Sequence, residues 1–487
     1  MGEPAAPQGV PSPSLLEALS RRAPRLPLHL PAHGRGRGLA PGLRQLLQLG
    51  PGSWDLPELP EIGAPLEPEG AVAEAQRRCA ALLRADHCWF GVNGASGLLQ
   101  AALLGLCPPG GRVLLPRNLH RSLLHGCVLG GLEPLLYNLP FDSHGGLWQP
   151  PSPRHLEQVL IAAARGGTPV AALVLLDPTY QGLAADLPGL LAVARGPLGV
   201  AAAGRADGLP VLVDQAHGRG EAVAAGADLV VLSLQKNGGG LAQSAALLAQ
   251  GPRIVPEALE RALLWLQTSS PSALLLASTA AALEHAHSPA GRRQRQRSES
   301  RARKLAQRLT AAGLPLLPNA DPLRLVLATA PLGINGLEAD AWLLERGVVA
   351  ELPEPGALTF CLGLAPPLAL ERSLPWWLKQ LRRSLGKAPL PPFQPPPLPL
   401  VAAPEWPLGQ AWRAPSERIP LAACQGRVAA APLCPYPPGI PLLVPGERID
   451  AARADWLAQQ AQLWPGQMPA SVAVVVEGPG AEIRVRR

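Results

Sequence analysis

Short apolar runs alternate with longer helical stretches through the middle of the chain. Cys88–Asn93, Arg112–Pro116, Glu133–Tyr137, Val170–Leu176, Pro210–Val213, Leu229–Leu232 and Ala245–Ala249 each read as a strand. Ser96–Leu106 and a stretch from His120 read as helices between them. Runs without polar alternation predict strands covered on both faces, and strands alternating with helices predict a mostly parallel sheet wrapped by helices. In such sheets chemistry gathers beyond the carboxyl ends of the strands. Asn93, Arg117, Asp177, Asp214 and Lys236 all fall just past strand ends in this reading. That coincidence points to one active site.

The same pattern divides 487 residues, more than one core usually serves, into four parts. An N-terminal arm covers 1–70, a large domain 71–290, a small α/β domain 291–387 and a C-terminal domain 388–487. The small domain is expected to hold strands at Leu323–Ala328, Val348–Leu352 and Ala357–Leu362. A helix from Gly336 to Arg346 and a last one through Trp376 and Trp377 complete it. The 59 prolines crowd the first 70 residues and 388–445. Pro389–Pro399 therefore predicts a stiff extended linker. Strands at Ala473–Val476 and Glu482–Val485 close the chain, and there is no internal repeat.

Composition narrows the class. The net charge is +7, but much of the excess is one run, Arg292 to Arg308, whose spacing beside Leu305 and Leu309 fits a solvated helix face. This reading outweighs a phosphate-binding patch, and no nucleic-acid partner is expected. Seven cysteines form no Cys-x-x-Cys pair, so neither a disulfide framework nor a metal site is expected. His29 and His33 flank a proline and cannot share a helix face, which leaves no metal. No signal peptide, myristoylation pattern or apolar run of about 18 residues is present, so the chain reads as cytoplasmic, off the membrane.

Of 43 basic residues only four are lysines, leaving 39 arginines (43 − 4). Lys304, Lys379 and Lys387 lie in arginine-studded stretches, whereas Lys236 follows an apolar run and precedes Asn237-Gly238-Gly239-Gly240. Arginine stays protonated, while lysine in a partly dry site can lose its proton and act as a nucleophile. Twenty-two residues upstream, Val211-Leu-Val-Asp214-Gln-Ala216-His217 ends another apolar run in an acid. Aspartate, then Ala-His, then lysine is an arrangement that suits pyridoxal phosphate. Each residue also has an ordinary structural role open to it: Asp214 as a turn cap, His120 as a helix cap, His217 as a core histidine.

Further motifs recur in order: Pro31-Ala32-His33-Gly34, Gly70–Ala81, Asn93-Gly-Ala95-Ser96-Gly97, Arg117-Asn-Leu-His120-Arg-Ser122, Asp177-Pro-Thr-Tyr180-Gln-Gly182, Asp214-Gln-Ala-His217-Gly, Thr268-Ser-Ser-Pro-Ser272 and Cys434-Pro-Tyr-Pro-Pro-Gly-Ile-Pro-Leu-Leu-Val-Pro-Gly-Glu447. From about Pro27 to Glu447 the chain resembles the ornithine/lysine/arginine decarboxylase family of fold-type I pyridoxal-phosphate enzymes. The resemblance implies an α/β cofactor-binding large domain, a smaller α/β domain and a C-terminal α+β domain. It implies pyridoxal 5'-phosphate carried on Lys236, with Asp214 keeping the pyridine nitrogen protonated. His120 would stack on one ring face and Ala216 lie against the other, with His217 supporting cofactor or substrate. Ala95, Ser96 and Gly97, with Ser233 and Gln235, would hold the phosphate, and Thr268 and Ser269 would reach it across a dimer interface.

The resemblance further implies decarboxylation of a basic amino acid, arginine (to agmatine) favoured over lysine or ornithine. It implies a homodimer or dimer-based oligomer with shared sites, in a short form without the N-terminal wing domain of larger members. Two departures stand inside the motifs. Gln235 replaces the histidine usual before the lysine, and Gln215 replaces the glutamate after the aspartate; glutamine still donates a hydrogen bond to a phosphate. Glu351, Glu447 and Asp177 are candidates for the substrate's cationic end. Another fold-type I reaction, with Arg324 or Arg372 on the substrate carboxylate, remains open, as does a non-catalytic cofactor-binding paralogue.

Overall fold

A computed structural model describes residues 14–20, 24–434, 440–464 and 467–476. The central sheet draws seven strands from residues 87–249: β1 (His87–Gly91), β2 (Arg112–Pro116), β3 (Glu133–Tyr137), β4 (Val170–Leu176), β5 (Val211–Asp214), β6 (Leu229–Ser233) and β7 (Ala245–Ala249). Three further strands, β8 (Arg324–Ala328), β9 (Leu352–Glu354) and β10 (Ala357–Cys361), form an antiparallel sheet in the order β8-β10-β9. The eighth strand of the central sheet, β11 (Val401–Ala402), comes from far downstream. The central order is β11-β3-β2-β4-β5-β6-β7-β1. Pairs from β3 through β6 are parallel, whereas β7 runs antiparallel to both of its neighbours and β11 to β3.

Both faces of the sheet are covered, which explains the uninterrupted apolar runs. Leu98, Leu99 and Leu103 of the helix Gly94–Leu106 pack with Leu259 and Leu263 of Pro256–Leu266 over Val113, Leu115 and Val231. On the other face Leu156, Leu160, Leu190, Leu276 and Leu283 cover Leu114, Leu173 and Val213. Each such leucine removed from water contributes about 1.5–3 kcal/mol. The result is a rigid platform on which β5 and β6, adjacent and parallel, end side by side.

The stretch expected as one strand at Val348–Leu352 is divided. Val348–Val349 pairs in parallel with Leu26–Pro27 of the arm, and Leu352 begins β9. Pro389–Pro399 holds no regular element, and it is docked rather than free. Phe393 N donates to Ser143 O (2.7 Å), the Phe393 ring stacks on Trp464 at 5.3 Å, and Asn138 Nδ2 donates to Leu398 O (3.1 Å). The basic run lies on the helix Pro289–Ala311, buried through Ser298, Ala302, Leu305 and Leu309. Arg295 departs from the expected wet face: its Nη2 donates to Asn237 O at 2.8 Å. Among the described residues no helix is long and apolar enough to cross a membrane. The first part of the proline-rich motif, residues 435–439, and the strand expected at Glu482–Val485 lie outside the described residues.

Candidate active site

Lys236 stands on one helical turn, Leu234–Asn237, directly after β6, rather than at the strand end itself. The chain then reverses sharply, with Gly238 N and Gly240 N both donating to Leu234 O. Gly239 has φ +73°, and a side chain there would collide with the Gly38 carbonyl. The arm closes on this turn from the other side, where Ala32 N donates to Gln235 O at 2.9 Å. The Pro31–Gly34 motif is therefore part of the lysine's surroundings.

Lys236 Nζ lies 2.9 Å from His217 Nε2, which is carried by the loop after β5. Burial pulls the Lys236 amine down to about 8; Asp214 resists the shift, Arg324 reinforces it, and Glu351 and Cys361 resist it. Asp214, the last residue of β5, is 2 % exposed, and its Oδ1 accepts from Ala216 N at 3.1 Å. Burial raises its pKa, opposed by Lys236 and by the Ala216 amide. The predicted lysine and aspartate thus share one place and feel each other's charge.

His217 is buried, its ring packed on Tyr180 at 4.4 Å and its Nδ1 2.8 Å from Arg324 Nη2. Burial first, then Lys236, Arg324 and His120, hold its pKa well below the usual imidazole value. Arg324, at the start of β8, donates from Nη1 to Tyr180 O at 2.7 Å. The Tyr180 hydroxyl donates to Glu351 Oε1 (2.5 Å), and Glu351 Oε2 accepts from Leu30 N (2.6 Å). His120 caps the helix Arg121–Gly130, its Nδ1 accepting from Ser122 N at 3.3 Å. Its ring remains open to solvent, yet burial within the surrounding protein pushes it down to about 4, with Lys236, Arg121 and His125 adding to the shift.

Ala95, Ser96 and Gly97 open the helix Gly94–Leu106, and its N-cap residue, Asn93, makes no side-chain cap bond. Gly94 N donates to Gln243 O (3.0 Å), which ties this helix start to the loop after Lys236. Ser233 is the buried last residue of β6. Gln215 is committed elsewhere: its Oε1 accepts from Gly220 N (2.9 Å) and Ala222 N (3.3 Å), capping the helix Glu221–Ala225. Thr268 and Ser269 are exposed, and the Thr268 hydroxyl pairs locally with Ser270 Oγ at 3.4 Å, so within one chain they do not join the lysine cluster.

The candidate acids also separate. Glu447 is bound to Arg117, and Asp177 Oδ1 accepts from Ala185 N (2.6 Å) while burial raises its carboxyl to about 6. Glu351 alone stands in the cluster. Arg324 lines the small cavity beside Lys236, whereas Arg372 is exposed on the helix Leu370–Leu385. Tyr180 and Arg324 form the wall of the site; the signal for Arg324 was a lone charge opening an otherwise apolar strand.

These donors fit pyridoxal phosphate. A buried amine drawn toward its free base, a buried carboxylate at the end of the neighbouring strand, an accessible imidazole and a helix start without a side-chain cap match an aldehyde, a pyridine nitrogen, a ring face and a dianion. A lysine and an aspartate so placed beyond neighbouring parallel strands define a fold-type I pyridoxal-phosphate enzyme.

The family model described as Orn/Lys/Arg decarboxylase, major domain, matches residues 29–320, and that of the C-terminal domain matches 398–469. The chain belongs to the Orn/Lys/Arg decarboxylase family and is a pyridoxal-phosphate-dependent amino-acid carboxy-lyase. The arginine decarboxylase of Bacillus subtilis is 29% identical over 467 residues, covering 89% of this chain and 91% of the relative. That of Bacillus anthracis is 27% identical over 480 residues, covering 91% and 92%. The fold is similar to that of lysine decarboxylase A from Pseudomonas aeruginosa, with a TM-score of 0.72 at 18% identity, covering 95% of this chain and 80% of that one.

Proposed function

We propose that this chain removes the α-carboxylate of a basic amino acid, arginine before lysine or ornithine, yielding the amine agmatine for polyamine synthesis. The observation that carries the reading is the Lys236–His217 contact beside buried Asp214. The arginine preference rests on the arginine decarboxylases similar to this chain over about nine-tenths of its length. When bound, the cofactor supplies an electron sink for the bond to the departing carboxylate.

The chain's own residues do the rest. Lys236 Nζ would hold the cofactor covalently and, once displaced by substrate and protonated, would donate the proton that takes the place of the departing carboxylate at the α-carbon. Asp214 holds the proton of the pyridine nitrogen. His120 and Ala216 flank the ring, and His217 positions Lys236. The amides of Ala95, Ser96 and Gly97, with Ser233 and Gln235, bind the phosphate. Thr268 and Ser269 complete that site from a second copy, and Leu264 and Trp265, 66% and 79% exposed on the preceding helix, supply apolar surface for the contact. Glu351 faces the substrate's cationic end. The arm 1–70, the domains 71–290, 291–387 and 388–487, a homodimer and a cytoplasmic setting complete the reading.

The test is CO₂ release from arginine, lysine and ornithine, alongside the visible absorbance of the holoenzyme. Arginine should release CO₂ fastest, and Lys236→Ala should lose both signals. A visible band without CO₂ from any of the three would overturn the reading.

A further inference from the structure

Three side chains in the site form a hydrogen-bonded row whose polarity is set from one end. Arg324 Nη2 lies 2.8 Å from His217 Nδ1, and His217 Nε2 lies 2.9 Å from Lys236 Nζ. A guanidinium has five N–H donors, no acceptor, and stays protonated. The His217 nitrogen facing it must therefore offer a lone pair. A neutral imidazole that accepts at Nδ1 carries its hydrogen on Nε2, so Nε2 donates toward Nζ. An ammonium would set donor against donor there. A free amine has the lone pair that completes the bond.

We propose that Arg324 is a positioning residue that, by fixing the His217 tautomer, favours the free-amine form of Lys236 that can capture the cofactor aldehyde. The proposal rests on the pyridoxal-phosphate reading. Capture needs that form of the lysine: the nitrogen lone pair makes the new bond to the aldehyde carbon, and both amine hydrogens leave with the aldehyde oxygen as water.

The row is held from outside itself. Arg324 is 2 % exposed and anchored by its Nη1 bond to Tyr180 O, and the Tyr180 ring packs on the His217 ring, fixing its plane. The other charged or titratable groups facing these two residues are Asp214, Glu351 and Cys361 on Lys236, His120 on His217, and Tyr180, whose ring packs on His217 and lies 5.6 Å from Lys236 Nζ. The acids and the Tyr180 ring favour the ammonium, so burial and the row must outweigh them. The amine's pKa of about 8 agrees in direction. At pH 7 about a tenth of such amines are free, against about one in 2500 for an ordinary lysine.

The test uses full-length apoenzyme with ¹⁵N-labelled histidine, the His217 signal being identified by its loss in His217→Asn. Wild type should show His217 neutral with its hydrogen on Nε2 throughout pH 6–8. Capture of added pyridoxal phosphate, followed by growth of visible absorbance, should speed up with pH to a midpoint near 8. Arg324→Gln presents an acceptor as readily as a donor, so the Nδ1–H tautomer should appear. The capture midpoint should then rise by about one unit, slowing capture about tenfold at pH 7. Arg324→Lys, a donor only, should restore the tautomer.

A wild-type His217 protonated on Nδ1 or on both nitrogens overturns the proposal, and this arm needs no variant to fold. An unchanged tautomer and midpoint in Arg324→Gln overturns it too. Failure of the cofactor reading looks different: wild type would then develop no visible band at any pH.

Discussion

Arg117 and Glu447, 330 residues apart, form a two-pronged ion pair closed to solvent. Nη1 reaches Oε2 at 3.1 Å and Nη2 reaches Oε1 at 2.5 Å, with the side chains 1% and 4% exposed. Arg453 Nη1 lies 3.4 Å from the same carboxylate, and Val444 N donates to it at 2.9 Å. Because Arg117 stands three residues before His120, the C-terminal part of the chain is latched to a segment of the active site.

Glu447→Gln should therefore weaken both stability and cofactor retention. Breaking a buried pair leaves an uncompensated guanidinium, at a cost of about 3–5 kcal/mol. Denaturant unfolding reads the first effect and dialysis of bound cofactor the second. The double replacement Arg117→Met with Glu447→Leu should recover most of the stability, because it buries no lone charge. A loss below about 1 kcal/mol for the single variant would show that the latch carries no load.

Glu354 predicts a pH dependence of stability. Both of its oxygens accept from Gln181 Nε2, at 3.0 and 2.9 Å, and burial raises its carboxyl to about 7 against the opposing effect of Gln181. A folded pKa above the unfolded one means the contribution is fully present below about pH 4.5 and is lost as pH rises through 7. The loss amounts to about 3 kcal/mol at most. Glu354→Gln should flatten this part of the profile, overtaking wild type at pH 8. Parallel wild-type and variant profiles from pH 5 to 8 would refute it.

Gly363 packs directly against the backbone of Ala32. Its φ is +67°, and an added Cβ would collide with the Ala32 carbonyl. Since Ala32 N is bonded to Gln235 O, pushing the arm away disturbs the lysine turn. Gly363→Ala should cost about 1–3 kcal/mol and loosen cofactor binding. Gly42→Ala, in the helix Pro41–Leu46 with nothing within 4 Å of the new methyl, should be neutral or stabilising. Equal effects from the two would sink the argument.

The exposed pair Leu264 and Trp265 tests the shared site. Trp265→Asp should shift sedimentation toward the monomer and lower decarboxylation in proportion. A monomeric wild type with full activity would remove the role proposed for Thr268 and Ser269.

Much of this was legible in the chain. The strands β2, β3, β4 and β7 follow the apolar runs residue for residue, because strands buried on both faces contrast sharply with their polar flanks. Lys236 and Asp214 stood out because each breaks such a run at its end. What was hidden depends on distant partners. The division of Val348–Leu352 is set by pairing with Leu26–Pro27, more than 300 residues upstream. The reversed direction of β7 leaves no mark on its own residues. Glu447 read as a candidate acid for substrate, since nothing local announces Arg117, and Gln215 read only as a departure from the family motif, since the backbone amides it caps lie five and seven residues on. Arg324 was legible only as a possible carboxylate ligand; its bonds to His217 and Tyr180 come from segments more than 100 residues away.

The two residues of β11 have a consequence out of proportion to their number. They pair with Tyr137 and Leu136 on β3, which would otherwise be the edge strand on that side. Cutting the chain ahead of the proline-rich stretch would not release a tidy catalytic core. It would strip a protective hem from β3 and leave unpaired backbone along a flat, greasy border, a template for sticking to other copies.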